Sequence, residues 1–144
     1  MNSYGKIVML DKVLVDSSVI AAIFFKEAAS SRAERALKDC TVLTVDLALV
    51  EVANVAWKRV VLFNESEEVA LKALRKSLEF IRTVCEVISS EELLEPAFKL
   101  AIADRIPIYD SLFIAAAERE NVPLLTRDEK FYELEKSKRN VRLV

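Results

Sequence analysis

The chain carries at residues 108–117 the stretch IYDSLFIAAA, followed at residues 124–128 by LLTRD. The first stretch places Asp110 at the mouth of an apolar helix, and the second places Asp128 directly after a short apolar strand. Two more acids stand in apolar surroundings upstream, Asp16 after VLV and Glu51 within LALVEVA. A charge is expensive to bury unless something neutralises it. A divalent cation shared among the four carboxylates would do so.

The length and composition predict one globular domain over residues 1–144. A chain of 144 residues can bury a core without disulfides or a structural metal. The longest apolar runs, such as Val19 to Phe25, are far shorter than a membrane span. Charged residues interrupt the N-terminal region before the apolar core of a signal peptide can form. We therefore expect a cytoplasmic protein with no membrane segment.

Missing residue types restrict the chemistry. The chain has no histidine, which excludes Ser-His-Asp triads and most transition-metal sites. Gly5 is its only glycine, so neither a P-loop nor a dinucleotide-binding loop is present. The two cysteines, Cys40 and Cys85, indicate neither a disulfide framework nor a zinc site. An enzyme built from this chain would work with carboxylates, hydroxyls, Lys and Arg, which favours Mg²⁺ or Mn²⁺ as its cation.

Short apolar runs alternate with helical patterns along the chain. Strands are predicted at 13–15, 41–45, 85–88 and 124–126, with an edge strand at 141–144. Helices are predicted between them at 19–25, 30–38, 47–63, 66–81, about 95–103, 111–120 and 129–136. Residues 1–11 are an N-terminal extension that forms either a short extra strand at 7–10 or a frayed segment. This alternation predicts an α/β fold, a three-layer sandwich with a mostly parallel central sheet flanked by helices.

Two details of the helices bear on the site. The helix at 47–63 is apolar around nearly its whole circumference in its first half, which predicts a central buried helix containing Glu51. Asn54 and Lys58 share the helical face of Glu51, and Lys58 fits a solvated position better than a site. The predicted N-caps of four helices are Ser17 or Ser18, Asp46, Ser66, and Ser89 in a capping box.

The acids are placed where an open parallel sheet forms its sites. Ligands bind beyond the carboxyl ends of the strands, which is where Asp16 and Asp128 are predicted to lie. Asp110 opens a helix and faces its free N–H groups. Taken singly, Asp110 fits an N-cap and Asp16 a turn residue equally well. Glu51 is harder to explain structurally, because a carboxylate on an apolar helix face needs a partner.

Four segments span nearly the whole chain in a fixed order: VLVDSSVI at 13–20, LVEVAN at 49–54, YDSLFIA at 109–115 and LLTRD at 124–128. In order and spacing they resemble the four motifs of PIN domains, and in particular those of VapC-like toxins of prokaryotic toxin–antitoxin pairs. The resemblance implies an acidic pocket that binds Mg²⁺ or Mn²⁺ and cuts RNA, an antitoxin protein as partner, and a homodimer. The chain departs from the family pattern at one point, because Asp104-Arg105-Ile106 replaces the glycine often found before the third motif. This difference bears on the conformation of the loop and leaves the assignment of Asp110 unchanged.

The resemblance assigns the acids of the pocket to Asp16, Glu51, Asp110 and Asp128, and its hydroxyl positions to Ser18 and Thr126. In this first hypothesis, the three aspartates hold one or two Mg²⁺ ions, and Glu51 is a further ligand or a base that positions water. Ser18 and Thr126 orient a carboxylate or a water molecule. Asn54 supports the site from the face of Glu51. Basic residues near the acids are candidates for RNA binding: Lys26, Lys58, Arg59, Arg105, Arg127 and Lys130.

Two other hypotheses stay open at the level of sequence. One is a receiver-type phosphoacceptor domain, although Asp16 lacks the acidic neighbour that such a domain expects. The other is a non-catalytic PIN-like binding module held by an antitoxin-like partner, with the helices at 19–25 and 66–81 as surfaces or as core. Whatever the role, clustered carboxylates without metal should repel one another and have raised pKa values, so metal should raise the melting temperature.

Overall fold

A sheet of five parallel strands forms the centre of the computed structural model, which describes residues 11–25 and 30–144. Neighbouring strands pair in parallel throughout, with Leu14 opposite Leu43 on one side and Leu124 on the other. The predicted α/β fold is therefore confirmed. The strands are β1 (Asp11–Val15), β2 (Cys40–Val45), β3 (Glu86–Ile88), β4 (Leu124–Thr126) and β5 (Val141–Leu143).

Helices connect the strands and cover both faces of the sheet. Because crossovers between parallel strands are right-handed, α1 to α4 lie on one face and α5 to α7 on the other. A short 3-10 turn at Ser90–Leu93 precedes α5. The α-helices in the described residues are α1 (Ser17–Phe24), α2 (Ser30–Leu37), α3 (Leu47–Val61), α4 (Glu67–Thr83), α5 (Leu94–Asp104), α6 (Ile108–Glu120) and α7 (Glu129–Glu135).

The strand order β3-β2-β1-β4-β5 determines where a crevice can form. The chain builds the sheet outward from β1 through β2 to β3, then returns to the other side of β1 with β4. Connections leave in opposite directions at this point, which is where open α/β sheets bind ligands. Asp16 follows β1 and Asp128 follows the neighbouring β4. The order also differs from 2-1-3-4-5, the order of receiver domains, so the receiver hypothesis is wrong.

The central buried helix is α6. Seven consecutive residues from Ser111 to Ala117 are buried, and the Ser111 hydroxyl donates a hydrogen bond to the Pro107 carbonyl at 2.8 Å. The prediction that the helix at 47–63 is buried all round is wrong. That helix, α3, buries Ala48, Val52 and Ala56 but leaves Val50 66% exposed. It packs on α4 and α1, so only one of its faces is covered.

The buried face of α4 differs from the apolar stripe that the sequence predicts, which consists of Val69, Leu71, Leu74, Leu78 and Ile81. Ala70, Ala73 and Ser77 are buried along with Ile81, whereas Val69 and Leu71 are exposed. Small residues on the inner face let α4 approach α3 closely. The larger apolar side chains are consequently left at the surface.

The predicted N-caps are partly wrong. Asp16, rather than Ser17 or Ser18, caps α1, since its Oδ1 accepts hydrogen bonds from the backbone N–H groups of Ser18 and Val19. Ser66 caps α4 as predicted, accepting from the Val69 N–H at 3.3 Å.

The two remaining caps fail for different reasons. The Asp46 side chain turns away from α3 and accepts a hydrogen bond from the Ser90 N–H at 3.0 Å, 44 residues along the chain. Ser89 makes no side-chain cap bond. Short-range patterns cannot anticipate the first case, because the competing donor arrives only with tertiary folding.

The predictions for residues 1–10 lie outside the described residues, and Asp11 belongs to β1 rather than to an extension. Within residues 11–25 and 30–144, no helix combines the length and the apolar character that crossing a bilayer requires.

Replacing Phe113 by Ala should lower the free energy of unfolding by about 3 to 5 kcal/mol, because Phe113 is only 2% exposed in α6 and its removal leaves a cavity. Urea denaturation at equilibrium measures the change. Phe63→Ala is the matched control, since Phe63 is 70% exposed and should change stability by about 0.5 kcal/mol or less. Equal effects of the two substitutions would contradict the central position of α6.

Candidate functional site

We call the region beyond the carboxyl ends of β1 and β4 the crevice, and the four predicted acids Asp16, Glu51, Asp110 and Asp128 are assigned to it. Asp16 is the most buried of the four, with 9% of its surface exposed. Its Oδ1 accepts a hydrogen bond from the Ser18 hydroxyl, and its Oδ2 accepts one from the Thr126 hydroxyl, both at 2.5 Å. The N-terminal N–H groups of α1 add two further donors to Oδ1. A buried carboxylate is tolerated here because donors surround it.

The same two hydroxyls tie the first turn of α1 to the segment after β4. Ser18 Oγ accepts a hydrogen bond from the Arg127 N–H at 2.9 Å, and Thr126 Oγ1 accepts one from the Asp128 N–H at 3.1 Å. The structure therefore places both hydroxyls that the resemblance singled out against Asp16. It also brings Asp128 to the same edge of the sheet.

Glu51 enters the crevice from the first half of α3 and is half-buried. The Ser17 hydroxyl donates a hydrogen bond to its Oε1 at 3.0 Å. Sequence reasoning treated Ser17 only as a cap candidate and missed this contact. The sequence does contain a signal for this contact. Ser17 and Ser18 follow Asp16 directly, and two consecutive side chains in a first helical turn point in different directions, so only one of them can bind Asp16 while the other is free for a second acid.

Asp110 is the third residue of α6, not the residue that opens the helix, because the helix begins at Ile108. It lies in the first turn, near the positive end of the helix dipole, as expected. Asp128 precedes α7, is exposed, and caps that helix by accepting a hydrogen bond from the Phe131 N–H at 3.0 Å. The charge of Asp128 acts on Asp110 and helps to raise its pKa.

The four predicted acids influence one another electrostatically. The charges of Asp16 and Asp110 act on Glu51, and the charge of Asp128 acts on Asp110. Among the described residues, no three acidic or cysteine side chains are grouped closely enough to hold a metal ion together. Asn54 is exposed one turn beyond Glu51 on α3.

Burial controls the protonation of these acids. Burial raises the pKa of Asp16 to about 6, although the hydrogen bonds from Ser18 and Thr126 and from the start of α1 oppose it. The pKa values of Glu51 and Asp110 are also raised, first by burial and then by neighbouring carboxylates. The predicted direction is therefore confirmed for these three acids, but the main cause is desolvation rather than mutual repulsion.

Two of the candidate RNA-binding cations are engaged elsewhere. Arg59 donates to the Phe25 carbonyl at 2.6 Å and pairs with Glu65 at 3.6 Å. Arg127 donates to the carbonyl of the last residue, Val144, at 2.6 Å. Lys58, Arg105 and Lys130 are exposed, and Lys26 lies outside the described residues.

A family model for the PIN domain matches residues 13–137, which contain all four acids. The chain belongs to the PIN domain family. This PIN domain is 38% identical over 123 residues to a protein named Ribonuclease VapC3 from Pyrobaculum aerophilum, and the match covers 85% of this chain and 93% of that relative.

Solved structures share the fold of this PIN domain. PAE2754 from Pyrobaculum aerophilum has a TM-score of 0.69 at 21% identity, covering 97% of this chain and 89% of that one. A toxin–antitoxin complex from Klebsiella pneumoniae contains a chain with a TM-score of 0.61 at 18% identity, covering 90% of this chain and 95% of that one. The topology is thus common to proteins whose sequences have diverged widely.

Replacing Asp16 by Asn should stabilise the metal-free protein above pH 6, by about 1 to 3 kcal/mol. In the folded state Asp16 keeps its proton up to about pH 6, whereas its ordinary value is 3.8, so wild-type stability falls as pH rises between these values and then levels off. Asn still caps α1 but has no proton to lose. Urea denaturation from pH 4 to pH 8 measures the difference.

The control for this comparison is Asp39→Asn, because Asp39 is exposed and lies before β2 at the opposite edge of the sheet. Its backbone φ is 60°, a conformation that Asn adopts readily. This variant should follow the wild type at every pH. If Asp16→Asn also kept a constant offset from the wild type, Asp16 would not have a raised pKa.

Proposed function

We propose that this PIN domain, acting as one unit over residues 1–144, is a metal-dependent endoribonuclease that hydrolyses RNA phosphodiester bonds, and the toxin of a VapBC-type pair. The observation that supports the proposal is the position of Asp16 and Asp128 at the ends of the neighbouring strands β1 and β4, with Glu51 and Asp110 electrostatically coupled to them. The ribonuclease name of the relative with 38% identity supports the same activity.

The donor set suits a hard divalent cation. All four side chains offer carboxylate oxygens, the ligands that Mg²⁺ and Mn²⁺ prefer. An incomplete protein cage fits Mg²⁺ in particular, since it keeps several waters and binds through one or two carboxylates plus substrate phosphates. We assign Asp16, Asp110 and Asp128 as ligands, with Glu51 as a further ligand or a base. Such an ion, when bound, activates water and neutralises charge on the scissile phosphate.

Glu51 is suited to accept a proton from the attacking water. Its pKa is raised by burial and by the charges of Asp16 and Asp110, against the hydrogen bond from Ser17. A raised pKa brings a carboxylate closer to the value that suits a general base near neutral pH. Because Oε1 accepts the Ser17 hydrogen bond, Oε2 is the oxygen that would take the proton.

The hydroxyls of Ser18 and Thr126 hold Asp16 in one orientation. The Ser18 hydroxyl binds Oδ1, which also accepts the two N–H groups at the start of α1, and the Thr126 hydroxyl binds Oδ2. Oδ2 is therefore the oxygen with a lone pair left for a cation. Fixed ligands lose little freedom when a charged substrate binds, and this is how a preorganised site accelerates a reaction. Asn54 is exposed one turn beyond Glu51 on α3, and we assign it a supporting role at the outer edge of the crevice.

RNA must be attracted locally, because the net charge of the chain is −2. Lys58 lies about two turns beyond Glu51 on α3, and Lys130 lies in the first turn of α7 beside Asp128. Both are exposed, so their ammonium groups are available to phosphates. We assign them as backbone contacts of the RNA.

An antitoxin protein is the proposed partner, and the groove between α3 and α4 is its proposed contact. Trp57 and Val61 of α3 are 53% and 54% exposed, and Leu71 of α4 is 39% exposed beside them. Such a groove accepts the apolar face of an amphipathic helix. The helix predicted at 19–25 is unsuited to this role, because Val19 to Ala22 are buried in the core.

A second apolar surface is proposed as the homodimer face. Leu94, Phe98 and Ile102 recur every four residues along α5 and are 49%, 59% and 62% exposed. Side chains at this spacing form one stripe on a helix. An apolar stripe of this kind is typical of an interface between subunits, and a two-fold pair would cover it on both copies.

Replacing Asp110 by Asn should abolish metal-stimulated cleavage of RNA, with a loss of roughly 100-fold or more, since the change removes a proposed ligand. Cleavage of labelled single-stranded RNA in Mg²⁺ or Mn²⁺ measures it, with Asp39→Asn as the control that keeps full activity. Retained activity in Asp110→Asn would contradict the site. Inactivity of the wild type on RNA, together with tight metal binding, would favour the non-catalytic binding module instead.

Adding Mg²⁺ at about 10 mM should raise the melting temperature by roughly 3 to 5 °C at pH 8, because the ion binds only the folded state. The increase should be smaller at pH 5, where Asp16 holds a proton that the ion must displace. Thermal denaturation at matched ionic strength checks both values. A melting temperature that does not respond to metal at pH 8 would count against a preformed site.

A further inference from the structure

Glu135, the last residue of α7, is a fully buried acid at the opposite end of that helix from Asp128. Neither of its carboxyl oxygens accepts a hydrogen bond from a donor in the described residues. The buried hydroxyls of Thr44, Ser77 and Ser111 differ, because each donates to a backbone carbonyl. A buried carboxylate with no donor is costly, and the usual remedy is a proton on the carboxylate itself.

The neighbour of Glu135 is a second acid, Asp104, the last residue of α5. Asp104 is held by Arg139, whose Nη2 lies 3.1 Å from Oδ2 and whose Nε also donates to that oxygen. Arg139 uses its Nη1 to bind Glu118 of α6 at 2.7 Å. The hydrogen bonds of the Arg139 guanidinium go to Asp104 and Glu118, so Arg139 donates none to the carboxyl group of Glu135.

The charged groups that face Glu135 are Asp104 from α5, and Lys138 and Arg139 from the segment after α7, with Glu118 of α6 behind Arg139. When Glu135 is ionised, three carboxylates stand against two cations. When Glu135 is protonated, the charges balance. The geometry therefore favours the neutral acid.

We propose that Glu135 is protonated in the folded protein and donates that proton in a hydrogen bond to Asp104, fastening α7 to α5 by a pH-sensitive clasp. On deprotonation the proton passes to water, the hydrogen bond is lost, and two carboxylates face each other. The clasp is independent of the proposed ribonuclease activity, and its test requires no RNA.

The protonation behaviour of the pair agrees with this arrangement. Burial raises the pKa of Glu135 to about 7, and Asp104 acts in the same direction against the opposing effect of Lys138 and Arg139. Burial also acts to raise the pKa of Asp104, but hydrogen bonds from Glu135 and Arg139 outweigh it and lower that pKa. One acid of the pair thus keeps its proton while the other loses it.

The sign of the pH dependence follows from these values. In the unfolded chain Glu135 has its ordinary pKa of 4.5. Between pH 4.5 and about 7 the folded state holds a proton that the unfolded state has released, so stability falls as pH rises. Above about pH 7 both states are ionised at this position and the fall ends. Asp104 titrates below its ordinary value of 3.8 and does not contribute in this window.

The test compares the wild type with Glu135→Gln by thermal denaturation between pH 5 and pH 8. Gln keeps the shape and a donor for Asp104 but has no proton to lose. Relative to the wild type, the folding constant of Glu135→Gln should rise roughly 50- to 100-fold across this range, or about 5 to 10 °C in melting temperature. Glu133→Gln, on an exposed position of the same helix, should follow the wild type. Parallel curves for Glu135→Gln and the wild type would overturn the proposal.

A second measurement uses the wild-type side chain directly. In protein labelled with ¹³C at glutamate carboxyl groups, one resonance should titrate near pH 7 by NMR. That resonance should persist in Glu51→Gln, which removes the other glutamate of raised pKa, and disappear in Glu135→Gln if that variant folds. If every glutamate resonance of Glu51→Gln completes its titration below about pH 5.5, the clasp does not exist.

Discussion

The structure depends on one buried carboxylate, that of Asp16, at the point where the order of strands reverses. Two hydroxyls and the first N–H groups of α1 surround it, and those hydroxyls belong to α1 and β4. The carboxylate is therefore both a cap for α1 and a link between two strands that are distant in sequence. Its burial is unfavourable for the charged form, and the hydrogen bonds only partly offset this, as its raised pKa indicates. A bound cation would offset the unfavourable burial of this negative charge.

The packing of α6 explains how the other acids reach Asp16. Because α6 is buried along seven consecutive residues, its position and direction are fixed by the core. Asp110 lies in the first turn of α6 and is therefore positioned by the packing of that helix, since its side chain makes no hydrogen bond within residues 11–25 and 30–144. Glu51 depends on a different device, the Ser17 hydroxyl, because α3 is covered on one face only. Asp110 is thus positioned by the packing of α6, and Glu51 is positioned by its hydrogen bond from Ser17.

Family membership and the local chemistry give complementary information. The PIN model spans the four acids, and the 38% identical ribonuclease spans most of the chain, so the ancestry is established by sequence. The two solved structures of similar fold are 21% and 18% identical to this chain, so they support the topology alone. The exposed apolar surfaces on α3, α4 and α5 are features of this chain's own sequence. They are the surfaces that we propose for the antitoxin and for a second copy of the chain.

The sequence by itself determined the short apolar strands, the order of helices and strands, and the identity of the four acids. It could do so because strand and helix periodicity are local properties, and because a carboxylate in an apolar segment stands out without any structure. Only the tertiary structure decided which apolar helix lies at the centre. Both α3 and α6 are apolar, but α6 is covered on all sides whereas α3 keeps Val50 and Trp57 in solvent.

The caps and the buried acid pair show the same limit. Asp46 binds Ser90, a partner 44 residues away, and Glu135 meets Asp104 only because α5 and α7 end at the same place. No local pattern distinguishes Glu135 from the exposed glutamates of its helix. Propensities describe a residue and its near neighbours, whereas burial, hydrogen-bond competition and protonation depend on groups that the folded chain brings together.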